Sequence, residues 1–361
     1  MTTTEQILAK AEALKAQFAA LGGHVVNADV LQPAETLLDL YGEDIRARAY
    51  VTNDPLHGEM MLRPDFTVPV VQMHMETYAE PARYTYSGAV FRKQEHDASR
   101  ANEYVQVGYE VFDGQNPAGA DAEVFAAISK AVDGLPLRAA TGDIGLLTAA
   151  VSGLRTSDAR KAALLRHLWR PQRFKSLLDR FCGKTPVPTA RTNLLADSEP
   201  FRSVGPDIGL RSRKEVSDRI EALRQDAALA PISADERELL DAILKLRETL
   251  PNVLSALRDI AVDMPSITDA VETLARRADA LTALGLNIDA LPFEGSYGRT
   301  NMEYYDGFVF GFYSTVRADL PPLATGGRYD ALTAQLGAGR AVPAVGAVIR
   351  PDLLIAVEEG L

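Results

Sequence analysis

The sequence predicts an α+β fold in which one sheet domain is interrupted by a mainly helical insertion. The first third of the chain is rich in short β-type runs, the middle has helical periodicity, and β-type runs return near the end. We place the first part of the sheet domain at 1–144, the insertion at 145–290 and the last part of the sheet domain at 291–361. Three consecutive domains are the alternative, but a final unit of about 70 residues would have only a marginal core.

The composition is that of a globular protein. Of the 361 residues, 47% are hydrophobic and 24% charged, which excludes disordered and fibrous classes. No apolar run approaches the ~20 residues of a membrane helix, and the N-terminus lacks a secretory apolar core, so we expect a cytoplasmic protein. The net charge of −11, from 38 Lys and Arg against 49 Asp and Glu, argues against nucleic acid as the main partner. A single cysteine, Cys182, excludes an intramolecular disulfide and a cysteine-based metal cluster.

The first part of the chain begins with a predicted amphipathic helix. Apolar residues recur at three- and four-residue spacing between Ile7 and Leu21, Thr3 and Gln6 have capping-box spacing, and Gly22 follows as a stop. Beyond it, one helix is predicted at 119–133. Strands are predicted at about 45–52, 58–63, 83–92, 103–112 and 136–144.

The middle of the chain is predicted to be helical. The segments 212–225, 233–250 and 266–286 have helical periodicity. Two of them open with capping boxes, formed by Ser212 with Glu215 and by Ser233 with Glu236. After residue 287, the segments 303–314 and 341–349 return to strand character, which suggests that they complete the first sheet.

Several cofactor and metal motifs are absent from the sequence. The GKT at 183–185 lacks the glycine that opens a P-loop, because position 178 is Leu178. The glycines at 337 and 339 precede a predicted strand, whereas a dinucleotide fingerprint opens a helix. The five histidines have no metal-ligand spacing, and the phosphate loop of common phosphoribosyltransferases is missing. We therefore expect no bound cofactor and no metal.

Two neighbouring predicted strands suggest a pocket for a small polar ligand. In the strand at 103–112, alternation puts Gln106, Gly108 and Glu110 on one face and an apolar set on the other. The preceding strand has Gly88 in its middle. A glycine leaves space above a sheet, so an amide and a carboxylate beside such a space could hold a ligand. A solvent-facing antiparallel sheet with one polar face explains the same pattern.

Two further segments contain candidate site residues. In 62–69, Arg63-Pro64-Asp65 is predicted to be extended and to lead into a short helix, where Thr67 could be the cap and Asp65 could meet a cation. In 303–314, Tyr304 and Tyr305 would face opposite sides of a strand, so that one hydroxyl could close a pocket. In isolation, an ordinary strand-to-helix turn and core aromatics are the more common explanations of these two segments.

Taken in order, the segments resemble the catalytic core of histidyl-tRNA synthetase, a class II aminoacyl-tRNA synthetase. They are RPDFT, AVFRKQE, EYVQVGYEVFDG, EYYDGFVF, TGGRYD and PAVGAVI. The resemblance extends from about residue 5 to the end of the chain. It implies a class II synthetase-like antiparallel sheet flanked by helices, with 145–290 partly corresponding to the inserted domain of that family.

The resemblance also implies a histidine site. In the family, residues that match Asp65, Gln106 and Glu110 face the ammonium group of histidine, and a tyrosine of the 304–305 pair lines its side. The histidine-binding candidates are Asp65, Thr67, Arg92, Gln106, Glu110, Tyr304 and Tyr305. These residue types suit the ligand, because a buried ammonium group has three donors and needs carboxylate or amide acceptors.

Three positions depart from the synthetase pattern. Gln94 stands where motif 2 has glutamate, Thr300 stands where an arginine precedes the tyrosine pair, with Arg299 one step away, and Leu353 stands at the motif 3 arginine. Those arginines neutralise ATP phosphates and the transition state, so their loss implies that adenylate chemistry is absent. Because the sequence ends at Leu361, directly after motif 3, we expect no anticodon-binding domain.

The regulatory subunits of short-form ATP phosphoribosyltransferase, the first enzyme of histidine biosynthesis, are synthetase paralogues with this profile. Similarity to them implies a chain with no catalytic residues and no aminoacylation activity that binds histidine and is needed for activity and feedback control. It implies a hetero-oligomer with the short-form catalytic subunit and self-association through the synthetase-like core, with neither nucleic acid nor membrane as partner. An active synthetase-like amino-acid ligase and a stand-alone amino-acid sensor are the alternatives.

Overall fold

The structure is a computed structural model that describes residues 3–41, 45–77, 79–94, 100–202, 205, 208–299 and 304–360. The first part of the chain contains α1 (Thr4–Ala20), β1 (His24–Val25), β2 (Leu31–Pro33), α2 (Ala34–Tyr41), α3 (Ile45–Arg48), β3 (Val51–Asp54), β4 (Gly58–Leu62), α4 (Thr67–Thr77), β5 (Ala82–Phe91), β6 (Glu103–Phe112), α5 (Pro117–Ala131) and β7 (Leu137–Asp143).

The middle of the chain is mostly helical. It contains α6 (Ile144–Ser152), α7 (Asp158–Leu165), α8 (Pro171–Phe181), α9 (Thr189–Ala196), α10 (Arg213–Ala228), α11 (Ala234–Lys245), β8 (Arg247–Thr249), α12 (Leu250–Asp263) and α13 (Thr268–Ala283), with short 3₁₀ turns at Pro265–Ile267 and Ile288–Ala290. The last part contains β9 (Pro292–Glu294), β10 (Phe308–Ser314), β11 (Ala324–Arg328), α14 (Asp330–Leu336), β12 (Ala344–Ile349) and α15 (Pro351–Glu358).

Within the described residues, nine strands form the central sheet in the order β1-β5-β6-β12-β11-β10-β7-β9-β8. The six strands from β5 to β7 pair antiparallel with their neighbours, while β1 and β9 join them in parallel. A small separate sheet has the order β2-β4-β3. The last part of the chain thus inserts β10 to β12 between strands of the first part. The predicted α+β fold with a flanked sheet is confirmed.

The capping boxes predicted for three helices are present. At Thr3, Ser212 and Ser233 the cap side chain accepts a hydrogen bond from the third helical residue, whose own side chain accepts one from the cap backbone. These paired bonds satisfy backbone donors that a helix start otherwise leaves open. The starts of α1, α10 and α11 are therefore determined locally by sequence.

Two element predictions in the first and middle parts of the chain need correction. The segment 45–52 is a strand only from Val51, because Ile45–Arg48 forms α3. Alanine and arginine are strong helix formers, and here they outweigh the strand-like alternation. The segment 233–250 is helical only to Lys245, and Arg247–Thr249 forms β8 at the edge of the central sheet.

The two faces of the central sheet are covered by different helices. We call the face that presents Gln106, Gly108 and Glu110 the front, and the opposite one the rear. On the rear, Phe18 of α1 stacks on Tyr109 at a centroid distance of 5.3 Å, and Phe125 of α5 packs on the phenylalanines of β10. On the front, Phe66 stacks on Tyr86 at 4.3 Å, just before α4.

The rear also contains a buried ion network. Arg277 of α13 donates to Asp121 at 2.7 Å and to Asp143 at 2.8 Å. Arg328, at the end of β11, donates to the other oxygen of Asp121 at 2.7 Å and to Asp330 at 3.0 Å. The network joins the helical middle of the chain to both sequence-distant parts of the sheet.

The described residues include no helix that is both long enough and apolar enough to span a membrane.

Candidate functional site

The centre of the candidate site is Glu110, in the second half of β6 on the front face. Its side chain is 1% exposed and accepts hydrogen bonds through both oxygens. Oε1 accepts from the hydroxyls of Tyr86 at 2.7 Å and Thr67 at 3.2 Å, and Oε2 accepts from the hydroxyl of Tyr329 at 2.6 Å. The three donors come from β5, from the start of α4 and from the residue between β11 and α14. The site is thus assembled from both ends of the chain.

Glu110 is buried without a cation. Burial raises the pKa of its carboxyl to about 7, with a further contribution from Asp65, while the three hydroxyl bonds act in the opposite direction. Within the described ranges its bonding partners are neutral hydroxyls, and no Lys or Arg forms an ion pair with it. A buried carboxylate is stabilised most effectively by a charged donor, so this arrangement is suited to a cationic ligand.

Glycines give the side chains of the site their room. Gly346 lies directly opposite Glu110 on β12, and a Cβ there would overlap the Glu110 carboxylate. A Cβ on Gly108 would overlap the ring of Tyr86, and one on Gly88 would lie 2.7 Å from the guanidinium of Arg63. The open space expected above Gly88 and Gly108 is therefore occupied by protein side chains. Both glycines are needed to seat the residues that surround Glu110.

Asp65 and Thr67 reach the site from the turn that opens α4. Asp65 is 4% exposed, and its Oδ1 accepts from the backbone N–H of Val68 at 3.4 Å, so that Asp65 rather than Thr67 caps the helix. The Thr67 hydroxyl is instead directed at Glu110. The effect of Asp65 on the pKa of Glu110 shows that the two carboxyl groups share one neighbourhood.

Gln106 lies four residues before Glu110, on the same face of β6. It is 3% exposed, and its Oε1 has no hydrogen-bond partner in the described part of the chain. A buried amide oxygen without a donor costs roughly 1–3 kcal/mol, so it indicates a position that a ligand or a water completes. On this face of the sheet, Gln106 and Glu110 can therefore both accept further hydrogen bonds from a ligand.

Tyr304, Tyr305 and Arg92 lie at the same side of the sheet. The two tyrosines precede β10, which begins only at Phe308, and their ring centroids are 4.8 Å apart. The expectation that they face opposite sides of a strand is therefore wrong, since Asp306 and Gly307 keep the segment out of the sheet. Burial raises the pKa of Tyr305, and the charge of Arg92 has a smaller effect in the opposite direction. This effect indicates that Arg92 lies near the tyrosine pair.

The ring of Tyr305 packs over Gly327 of β11. The ring of Tyr304 lies next to that of Tyr329, which donates a hydrogen bond to Glu110. A Cβ on Gly327 would lie 2.7 Å from the Tyr305 ring, and the Tyr304 ring is 6.1 Å from that of Tyr329. The structure thus brings all seven predicted site residues to the front face. Among the described residues, no group of three or more His, Cys, Asp or Glu side chains could hold a metal ion.

The positions that depart from the synthetase motifs have other roles here. Leu353 is buried in α15, and Gln94 donates to the backbone carbonyls of Arg92 and Ala101. Arg299 is buried, donates to the carbonyl of Leu168 at 2.8 Å and lies over the Phe174 ring, so that it contacts the helical middle of the chain. Thr300 lies outside the described residues.

Sequence reasoning did not identify the residues that hold Glu110 in place. Neither Tyr86, in the strand that contains Gly88, nor Tyr329, in the TGGRYD motif, is among the residues that the sequence predicts for the site. Their shared signal is a tyrosine two residues from a glycine in a strand, Gly88 for Tyr86 and Gly327 for Tyr329. The pairing of Gly346 with Glu110 depends on the register of β12, which the sequence does not reveal.

Comparison with known proteins agrees with this architecture. The family model described as "Histidyl-tRNA synthetase" matches residues 2–199 and 210–354. Proteins of Brucella canis and Brucella melitensis biotype 1, both named "ATP phosphoribosyltransferase regulatory subunit", are 29% identical over 366 residues. The alignments cover 96% of this chain and 96% and 95%, respectively, of those relatives.

Solved structures share the fold. A Bacillus halodurans protein described as an ATP phosphoribosyltransferase regulatory subunit/histidyl-tRNA synthetase superposes with a TM-score of 0.69 at 21% identity, covering 99% of this chain and 81% of that one. A histidine–tRNA ligase subunit from Alicyclobacillus acidocaldarius gives 0.62 at 24% identity, covering 100% and 96%. The motif order that suggested this resemblance is thus confirmed by a match over most of the chain, and the protein belongs to the histidyl-tRNA synthetase family.

Proposed function

We propose that this chain is a non-catalytic regulatory subunit of ATP phosphoribosyltransferase, the first enzyme of histidine biosynthesis, and that it binds histidine on the front face of its sheet. The names of the Brucella relatives support the regulatory role. One observation carries the ligand assignment: in the described part of the chain, Glu110 is a fully buried carboxylate bonded only to hydroxyls, and the nearby buried amide oxygen of Gln106 has no donor.

An amino-acid ammonium group supplies what this site lacks. It brings one positive charge and three N–H donors, which Glu110, Gln106 and Asp65 can accept. Thr67, Arg92, Tyr304 and Tyr305 complete the proposed histidine site. The fixed hydroxyls around Glu110 hold its carboxylate in place before the ligand arrives, so that little ordering accompanies binding.

We propose further that the chain does not activate amino acids. Leucine at position 353 and the burial of Arg299 against the helical middle of the chain leave those two positions without a cation for ATP phosphates. In this proposal the chain is cytoplasmic, associates with itself through its synthetase-like core, and forms a hetero-oligomer with a short-form catalytic subunit. Its proposed units are 1–144, 145–290 and 291–361.

Calorimetric titration with histidine tests the ligand assignment. We expect micromolar affinity, or about −8 kcal/mol, for the parent chain. Glu110→Ala removes the charged partner of the ammonium group and should cost about 2–5 kcal/mol of binding free energy. Glu103→Ala is a matched control, because Glu103 is exposed at the start of the same strand. Equal binding by Glu110→Ala and Glu103→Ala would show that the site is elsewhere.

Enzyme assays test the regulatory role. We expect no phosphoribosyl transfer by this chain alone and a strong increase when it is added to the catalytic subunit. Complexes that contain Gln106→Ala/Glu110→Ala should resist inhibition by histidine, with a coupling of about 1–3 kcal/mol lost. If parent and variant complexes lose activity at the same histidine concentrations, inhibition arises in the catalytic subunit. Steady histidine-dependent ATP–pyrophosphate exchange by this chain would instead indicate an amino-acid ligase.

A further inference from the structure

Charge is distributed very unevenly along this acidic chain. Residues 155–224, which we call the basic lobe, contain 16 Lys and Arg against 8 Asp and Glu, whereas the rest of the chain contains 22 against 41. The lobe comprises α7 to α9 and most of α10. A basic region within a strongly acidic protein attracts partners of opposite charge and repels those of like charge.

The lobe contains an apolar cleft between α9 and α10. The cleft has a volume of about 400 Å³, and its apolar lining includes Leu194, Pro200, Phe201 and Val216. Within the described chain, α9 buries no residue and α10 buries only Ile220. By contrast α13, which has the same length as α10, buries five residues. The apolar side of the α9–α10 pair is therefore only partly covered by its own chain.

Exposed apolar side chains also occur in the loop before α10. Ile208 is 94% exposed and Leu210 is fully exposed, while Leu194 in the cleft is 39% exposed. Exposed apolar side chains beside an apolar cleft in the chain are typical of a protein-binding surface. A basic surface that only attracts counter-ions and stays hydrated has no use for exposed apolar side chains.

Cations surround the cleft. Arg211, Arg213 and Arg219 line it together with one carboxylate, Glu215. Glu215 is engaged in the capping box with Ser212 at the start of α10, so its position is determined by the helix rather than by the arginines. The cleft therefore combines an apolar floor with a net positive rim.

We propose that the basic lobe docks an acidic protein surface whose apolar side chains fill the α9–α10 cleft. This inference rests on the proposed function, because in that assembly the surface belongs to the catalytic subunit. Carboxylates of the partner would meet Arg211 and Arg219, and apolar anchors would cover Leu194 and Phe201. Nucleic acid fits less well, because single strands bind on stacked aromatic platforms, whereas this lining is mainly aliphatic.

Charge reversal in the lobe tests the proposal. Arg211→Glu/Arg219→Glu should weaken binding of the catalytic subunit by about tenfold or more, and binding by the parent should weaken as salt is raised. The matched control is Lys130→Glu/Arg258→Glu, which has the same change of charge at two exposed positions outside the lobe. Leu194→Ser should weaken binding at high salt as well, because it acts through the apolar floor. Circular dichroism and histidine titration check that all variants remain folded.

The outcomes separate this inference from the proposed function. If the parent does not bind the catalytic subunit, the proposed function fails, and the docking site fails with it. If the parent binds and the lobe variants bind equally well, only the docking site is wrong. The docking site is also overturned if the lobe variants change the mass that sedimentation gives for this chain alone, because the lobe would then bind a second copy of the chain. It is overturned as well if a synthetic RNA hairpin displaces the catalytic subunit from the parent.

Discussion

On the rear face of the sheet Asp121 lies between two arginines, whereas on the front face Glu110 lies among three hydroxyls. Both carboxylates are 1% exposed. Asp121 accepts from Arg277 and Arg328, each at 2.7 Å. Among the residues that the structure describes, Glu110 accepts from uncharged hydroxyls only, and burial raises its pKa to about 7. The same amount of burial thus leads to two different electrostatic situations.

The difference separates stability from binding. The rear network pairs its own charges, so removing one member leaves its partners buried with fewer opposite charges beside them. On the front face, Glu110 has hydrogen-bond donors but no opposite charge within the described ranges, and the amide oxygen of Gln106 has no donor there. Among the described residues, buried arginines pair with the carboxylate behind the sheet and none pairs with Glu110, so a ligand cation could take that place on the front face.

The largest expected effect comes from removing the carboxylate behind the sheet. Asp121→Asn leaves Arg277 and Arg328 without their shared counter-charge and should lower the free energy of unfolding by about 3–5 kcal/mol. Glu110→Gln is the matched change on the front face, and its loss should be much smaller because no buried cation depends on Glu110. Urea denaturation of the two variants measures both values. Equal losses would mean that the two carboxylates play the same structural role.

A smaller effect concerns the pH dependence of histidine binding. Below pH 7 Glu110 is increasingly protonated in the free protein, so ammonium binding must displace a proton. We expect histidine affinity to rise by up to about tenfold per pH unit between pH 6 and 7 and to level off near pH 8. Calorimetry at pH 6 in two buffers of different ionisation enthalpy should detect the released proton. Proton release that is unchanged in Glu110→Gln would assign it to another group.

Without ligand, the contribution of Glu110 to the free energy of unfolding should decrease as the pH rises. Because its pKa is raised in the fold, protonated Glu110 contributes stability below its ordinary pKa of 4.5, and this contribution is lost as the pH rises through about 7. Glu110→Gln removes that dependence. The parent minus variant difference in unfolding free energy, measured from pH 5 to 8, should therefore decline with pH, and a flat difference would contradict the raised pKa.

The front and rear faces also differ in how far the sequence predicts them. Alternation along β6 assigned Gln106 and Glu110 to one face, and motif order identified the family, because both signals lie in contiguous residues. The bonds from Tyr86 and Tyr329 to Glu110 depend on strand register between distant segments. The ion network of Asp121 joins α5, α13 and β11, and no local pattern indicates which helix covers which face.

The smallest expected effect concerns His74, a buried base on the front side. His74 in α4 is fully buried, stacks on Phe112 at 3.8 Å and bonds to the Tyr84 hydroxyl at 3.1 Å. Burial lowers the pKa of its imidazole, and the charge of Glu80 only partly offsets this. Its Nε2 has no partner in the described residues, so a second proton would be buried without an acceptor.

This histidine should make the fold sensitive to acid. The pKa of His74 is lower in the folded protein than its ordinary value of 6.5. Its contribution to the free energy of unfolding is therefore complete above about pH 6.5. The contribution is lost as the pH falls below 6.5, because the unfolded chain then binds a proton that the folded protein does not. His74→Gln should therefore lose less stability than the parent between pH 7 and 5. His24→Gln is the control, because it removes an exposed imidazole in β1 instead of the buried one. If all three proteins show the same slope, protonation of His74 does not control the stability of the fold in acid.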